Sequence, residues 1–250
     1  MITVFIFIVA TLVSGITKAE EIESIYITGG RDKAKKQPGS AHIVAKEQIT
    51  EFHHTDAQRV LEKVPGVNIQ EEDGEGLRPN IGLRGAHPHR SKKIVLMEDG
   101  ILIAPAPYSA PAAYYFPSIM AMEDVEVFKG PLAIEYGPNT IGGAINLISR
   151  RIPYNSETFA DIGGGSFDFR KLHLYHGNMK GQWGWLFEGM HLESQGFKEL
   201  DGGGDTGFQR SNFAGKIQWS SPSSAQNFQQ WTLKVGYSTE VSKETYLGIT

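Results

Sequence analysis

Thr55-Asp56-Ala57-Gln58-Arg59-Val60-Leu61-Glu62-Lys63-Val64-Pro65-Gly66-Val67-Asn68-Ile69-Gln70 changes its hydrophobic period in mid-course. Ala57, Val60, Leu61 and Val64 recur at helical spacing and form one apolar face. Thr55 with Gln58 has the form of a capping box, so a helix is predicted over 55–64. Pro65-Gly66 stops that helix, and residues 67–70 read as a short strand. A brief helix handed directly to a brief strand is the texture of an α+β domain.

The neighbouring residues continue it. Residues 40–45 alternate as a strand, and the acidic, glycine-rich 71–76 reads as a loop. Residues 81–84 form a strand ending at Gly85. Residues 93–97 and 101–104, joined by Glu98-Asp99-Gly100, carry a hairpin signal. Residues 105–117 hold four prolines and no charge, which excludes a helix or a central strand. Residues 124–128 and 144–149 are strands on either side of a turn-rich loop over 136–143. A compact domain over 40–153 is expected.

After Pro153 the period becomes two. Phe213, Gly215, Ile217 and Trp219 alternate with Ala214, Lys216, Gln218 and Ser220. Trp231, Leu233, Val235 and Tyr237 alternate with Thr232, Lys234, Gly236 and Ser238. Trp183, Trp185 and Phe187 share a face, and 159–165 and 170–177 are weaker strands. Such alternation is expected of an antiparallel sheet with one apolar face. A soluble sandwich and an outer-membrane barrel with aromatic girdles both satisfy it.

Residues 1–19 read as a secretory signal. The apolar run over 4–13 is too short to span a bilayer as a helix. Thr17-Lys18-Ala19 offers small residues at the cleavage positions, although no Lys or Arg precedes the run. The alternative for this run is a buried strand or helix of the mature fold. Residues 20–39 then join a short extended stretch, with Ile22, Ile25, Tyr26 and Ile27, to a Gly and Lys/Arg tail. That is the form of a recognition peptide on a tether, or of an ordinary edge strand.

The chemistry-bearing residues form no catalytic set. The formal charge of −4 argues against a nucleic-acid partner, and the absence of cysteine excludes disulfides and thiolate metal sites. The 29 glycines suit tight turns more than a helical enzyme. Gly163-Gly164-Gly165 and Gly202-Gly203-Gly204 lack the context of a phosphate loop, and Asp201 to Asp205 lacks the spacing of a calcium loop. His53-His54 reads as a solvated pair beside the helix. His87-Pro88-His89-Arg90 offers two imidazoles and a guanidinium on a loop, a donor set for an anionic metal chelate, or else an exposed turn around Pro88.

The order of these segments resembles the TonB-dependent outer-membrane receptors. Residues 56–67, ending in Pro65-Gly66-Val67, resemble that family's plug helix. Asn80-Ile81-Gly82-Leu83-Arg84-Gly85, Val95-Leu96-Met97-Glu98-Asp99-Gly100, Val125 to Pro131 and Tyr136 to Arg150 resemble its later plug motifs in order. Ala106-Pro107-Tyr108 and Tyr136-Gly137-Pro138 look most like the ferric citrate branch.

The resemblance implies an α+β plug domain of short strands and helices, followed by the first antiparallel strands of a transmembrane β-barrel. Glu23, Ser24, Ile25, Tyr26, Ile27, Thr28 and Gly29 would be the TonB box, the strand recognised by TonB. His87, His89, Arg90, Tyr108, Ser109, Tyr114 and Tyr115 would line apical loops facing the ligand. Arg84 and Arg150 would lock plug to barrel; Glu135 stands where many members have a further arginine. No enzyme chemistry and no cofactor is implied, iron entering only as a bound chelate. The partners would be TonB with its inner-membrane complex, a ferric chelate and outer-membrane lipid.

Family barrels have more strands than residues 154–250 can supply, so the chain reads as a barrel's N-terminal part, with roughly five strands. The leading expectation is active uptake of a ferric chelate across a Gram-negative outer membrane. The alternatives are a truncated plug that binds TonB and transports nothing, and an unrelated secreted β-rich module.

Overall fold

The computed structural model describes residues 3–15, 40–103, 115–137, 139–222 and 227–243, with the backbone alone for 3–15. The chain divides into two compact units. One is Glu23–Arg150; the other is Arg151–Thr250 with Met1–Ile22. The first strand, β1 (Thr3–Gly15), belongs to the second unit.

The first unit runs β2 (Ser40–Val44), α1 (Lys46–Thr50), α2 (Ala57–Leu61), β3 (Val67–Gln70), β4 (Asn80–Leu83), β5 (Ile94–Glu98), β6 (Ile101–Leu102), β7 (Met122–Lys129) and β8 (Gly143–Ser149). Five strands form one sheet in the order β2-β7-β8-β5-β6, and β3 pairs with β4 separately. Within the larger sheet β5 and β8 are parallel; the other pairs are antiparallel. Side chains of β4, β5, β7 and β8 are buried almost throughout. The core gathers Val95, Met97, Phe128, Ala133 and Ala144, with Tyr136 packed against it. Tyr136 lies 4.9 Å from the Phe128 ring. Burial, followed by the charges of Glu135 and Glu126, pushes its hydroxyl up to about 12.

Two local expectations are corrected. The helix over 55–64 is shorter, Ala57–Leu61, and its cap is Asp56 rather than Thr55: the Asp56 carboxylate accepts from Gln58 N at 2.7 Å. An aspartate closer to the first helical residue reaches the open N–H and displaces the threonine. Helix α1 was not expected. Its residues lack a clear apolar period, and its N-terminus is held by one group of its own and one from afar: Gln48 Oε1 accepts from Ala45 N, and Asp124 Oδ1 accepts from Lys46 N.

Loops in this unit are secured by buried polar side chains. Asp73 accepts from the N–H groups of Glu75, Gly76 and Arg78. Asp99, at φ 51°, accepts from Ser149 N and Oγ, while Asn146 Oδ1 accepts from Gly100 N and its amide donates to Glu126. The β5–β6 turn is thereby tied to β7 and β8.

The second unit is an antiparallel sheet of β9 (Glu157–Gly164), β10 (Arg170–Lys180), β11 (Trp183–Ser194), β12 (Phe208–Ser220) and β13 (Phe228–Ser242), joined in sequence order, with β1 paired to β13. All five strands expected after Pro153 are present. They run longer than the alternation alone suggested, because polar residues continue the ladders at both ends.

Candidate functional site: the plug loops and the two faces of the sheet

Strand β4 separates two groups of candidate residues. At its C-terminal end Arg84 takes φ 52° and its N–H donates to Gly66 O. Its guanidinium crosses Gly130 so closely that a Cβ there would stand 2.3 Å from Nη1. The Lys129 ammonium lies nearby, donating to Pro65 O at 2.6 Å. Burial first, and the charge of Arg84 second, lower its pKa. Among the described residues no carboxylate pairs with Arg84 or Lys129. Arg84 is exposed, whereas Lys129 is buried with its ammonium held by Pro65 O. Arg150, by contrast, is buried, and its guanidinium donates to Met120 O at 2.9 Å.

Beyond Gly85 the chain folds back along β4. Gly82 makes this possible, since a Cβ there would meet Ala86 O at 2.2 Å. Arg90 N donates to Asn80 Oδ1 at 2.6 Å, and Ser91 Oγ donates to Pro79 O while accepting from Ile81 N. Arg90 and Ser91 both sit at positive φ, 51° and 53°. Non-glycine residues persist there only where their surroundings over-determine them. His87 and His89 are exposed, with ring centroids 6.2 Å apart. His89 N donates to His87 Nδ1, which leaves the other nitrogen of His87 as the proton carrier. Two imidazoles and the half-buried Arg90 therefore stand on a fixed loop. No group of three or more potential metal-ligating side chains occurs among the described residues.

Tyr115 is described and half-buried. Tyr108, Ser109, Tyr114 and the TonB-box residues 23–29 lie outside the described residues. Sequence reasoning missed Asn80, Gly82 and Lys129, although all three stand within quoted motifs.

The second unit carries its chemistry on two contrasting faces. One row bears Ile162, Leu172, Leu174, Trp183, Phe187, Phe213, Ile217, Trp231, Leu233, Val235 and Tyr237, all strongly exposed. The opposite row bears ion pairs and hydrogen bonds: Lys171–Asp161 at 2.7 Å, His173–Glu188 at 2.7 Å, and Asn212 Nδ2 donating to Ser238 Oγ at 2.8 Å. His173, Glu188, Arg210, Asn212 and Ser238 are all buried. Apolar outside and polar inside is the inverse of a soluble sandwich and the pattern of a barrel in lipid. From Trp231 to Val241 the apolar row of β13 runs about 33 Å along the strand. A tilt of about 40° turns that into a height of about 25 Å, the apolar band of an outer-membrane barrel.

The register adds a belt. Trp183 stands opposite Trp219, and Trp219 opposite Trp231, so three adjacent strands place tryptophan at one level. That level adjoins the short Gly181-Gln182 turn; at the other end a long loop joins β11 to β12. No helix among the described residues is long and apolar enough to cross a membrane.

Strand β1 fits this scheme on one side only. Ile6, Ile8, Ala10 and Leu12 stand opposite the apolar row Tyr237, Val235, Leu233 and Trp231. Phe5, Phe7 and Val9 stand opposite Ser238, Gly236 and Lys234 of the polar row. The segment satisfies the backbone of β13 without the alternation of a barrel strand.

Comparison with known proteins agrees with this geometry. Residues 33–144 match the family described as TonB-dependent Receptor Plug Domain. The chain is 33% identical over 135 residues to the vitamin B12 transporter BtuB of Vibrio vulnificus, covering 53% of this chain and 21% of that protein. It is 26% identical over 179 residues to the vitamin B12 transporter BtuB of Vibrio cholerae serotype O1, covering 71% and 29%. Among solved structures, the siderophore receptor PirA from Acinetobacter baumannii aligns with a TM-score of 0.64 at 19% identity, covering 87% of this chain and 34% of that one. The ferric yersiniabactin uptake receptor FyuA from Yersinia pestis aligns with a TM-score of 0.65 at 20% identity, covering 83% and 32%. The chain thus spans between a fifth and about a third of the length of these relatives. Plug motifs in order, a matching family profile and an inside-out sheet converge: residues 33–144 are a TonB-dependent receptor plug domain, followed by antiparallel strands of an incomplete barrel, as in the outer-membrane receptors that this chain resembles.

Proposed function

We propose that this chain serves active uptake of a metal chelate, of the ferric type, across a Gram-negative outer membrane, energised through TonB. The observation that carries this reading is a plug-family domain followed by a sheet whose exposed face is apolar and whose buried face is charged. The fixed His87–Arg90 donor set supports an anionic chelate as ligand, since a guanidinium and imidazoles match carboxylate or phenolate oxygens. The curated relatives are vitamin B12 transporters and the structural neighbours include siderophore receptors, so the chelate class is what the experiment must separate.

Residues 23–29 are the coupling strand in this reading, and residues 1–19 the export signal. The failure of β1 to alternate supports export, because a resident barrel strand would be polar opposite Ser238 and Lys234. The exposed Arg84 supports the expected plug–barrel lock in this reading.

The test is deletion of the gene that encodes the chain, followed by uptake and surface binding of radiolabelled ferric citrate, a ferric catecholate and cyanocobalamin under iron limitation. Loss of uptake of a ferric chelate is expected. Unchanged uptake of every ferric chelate would overturn the ferric reading, and selective loss of cyanocobalamin would reassign the substrate.

A further inference from the structure

The loop that carries His87, His89 and Arg90 is anchored by the buried Ser91, which bonds back to β4, and by the buried Asn80, which alone of the two also bonds to the acidic loop. Asn80 is 4% exposed. Its carbonyl oxygen accepts from Arg90 N at 2.6 Å. Its amide donates to Glu72 Oε2 at 2.7 Å and, more weakly, to Gln70 O at 3.3 Å. Glu72 lies in the acidic loop after β3, beside Glu71, whose carboxylate meets Arg59 of α2 at 2.6 Å. One side chain thus joins the donor loop to the acidic loop, and the acidic loop is joined to α2.

We propose that Asn80 is a positioning residue: it holds Arg90 in its left-handed conformation, through the Asn80–Glu72 bond, and so fixes the donor set before ligand arrives. The role follows from three features. The main-chain strain at Arg90 and Ser91 needs a partner that rewards it, and Asn80 supplies the short bond to Arg90 N. The amide of Asn80 can present its oxygen to Arg90 only while its nitrogen faces an acceptor, and the Glu72 carboxylate is that acceptor. Gly82 lets the loop lie against β4 by having no side chain, so it permits the conformation without selecting it. Preorganised donors bind with a smaller ordering cost. The ligand consequence rests on the proposed function; the positioning role does not.

The experiment uses the whole chain refolded in detergent, with hydrogen exchange resolved by peptide. Asn80→Ala should speed exchange of residues 89–91 by about tenfold, the loss of one buried hydrogen bond, while β7 and β8 keep their protection. Asn80→Asp keeps an acceptor for Arg90 N but sets a carboxylate against Glu72, so it should also loosen the loop. Adding Glu72→Gln to Asn80→Asp supplies a donor again and should restore protection. Exchange at 89–91 within twofold of the parent in Asn80→Ala, or no rescue of Asn80→Asp by Glu72→Gln, would overturn the proposal. The ligand reading is tested apart, by ferric citrate binding to cells bearing Arg90→Ala: unchanged binding there, with a loosened loop in Asn80→Ala, would sink the chelate site and leave the positioning role standing.

Discussion

The Asp56 carboxylate caps α2 by accepting from Gln58 N at 2.7 Å, while the Gln58 side chain, 1% exposed, makes no hydrogen bond among the described residues through either its nitrogen or its oxygen. The same two residues therefore start the helix well by main chain and poorly by side chain. Each half of that relationship has a measurable consequence.

Burial raises the Asp56 pKa from 3.8 to about 6, with Asp73 adding repulsion and the bond from Gln58 N opposing both. The folded chain then holds more protons than the unfolded chain between those values, so stability falls as pH rises through the window. The penalty is complete above pH 6. Asp56→Asn keeps a cap oxygen and removes the charge. It should match the parent near pH 3.5 and be more stable by about 1–2 kcal/mol at pH 7.5, after allowance for partial exposure. Urea-dependent hydrogen exchange of residues 57–64 at both pH values measures this; an equal difference at both would refute it.

Gln58 buries an amide without partners, which costs about 1–3 kcal/mol. Gln58→Met keeps the shape and removes the polar atoms. It should stabilise α2 by about 1 kcal/mol or more. The same exchange experiment reads it, and a loss of protection would mean that the amide has a partner in solution.

Gly82→Ala should be severe, because a Cβ there would stand 2.2 Å from Ala86 O, a main-chain atom with no rotamer to yield. The fold-back of residues 86–91 must open, at a cost of about 2–3 kcal/mol. Increased protease cleavage between residues 84 and 93 is the expected observation. An unchanged digest would show that β4 can shift to accommodate the methyl group.

Val235 and Gln230 stand on opposite faces of β13, one in the apolar row and one in the polar row. Val235→Arg should destabilise insertion by about 2–4 kcal/mol near mid-membrane. Gln230→Arg should cost less than about 1 kcal/mol, since Gln230 is half-buried on the polar face, where a polar-for-polar exchange is mild. Partition of the chain between lipid vesicles and urea is the measurement. Equal effects would put water on both faces and remove the barrel reading.

On the proposed uptake function, Ile25→Pro in a full-length version should abolish uptake while leaving surface binding and outer-membrane abundance intact. Strand addition depends on main-chain donors, and proline removes one. Ile25→Ala keeps the donor and should be milder. Normal transport by Ile25→Pro would move the coupling strand elsewhere.

Much of the architecture was legible in the residues themselves. The Val67–Gln70 strand, the hairpin around Asp99-Gly100 and the five alternating segments after Pro153 are written in local period and turn chemistry. The plug domain was legible in the order of its motifs; composition singled out His87, His89 and Arg90 as candidates, and the structure places them on one loop. Helix α1 was not, because its anchor Asp124 lies far along the chain. The cap of α2 was misplaced by one residue, because Thr55 and Asp56 compete for the same open N–H group and only geometry ranks them.

By itself, then, the sequence determined the elements, their periods and the plug domain, because those depend on neighbours within a few positions. Tertiary structure decided the rest. It showed that the apolar row faces outward and the charged row inward, which separates a barrel from a sandwich of identical alternation. It also showed that Asn80 reaches both Arg90 and Glu72, and that Arg84 lies over Gly130 beside Lys129. The physical reason is common to all three. A period tells which residues share a face, but strand register and chain reversal decide which distant groups meet across it and which face water or lipid is left to cover.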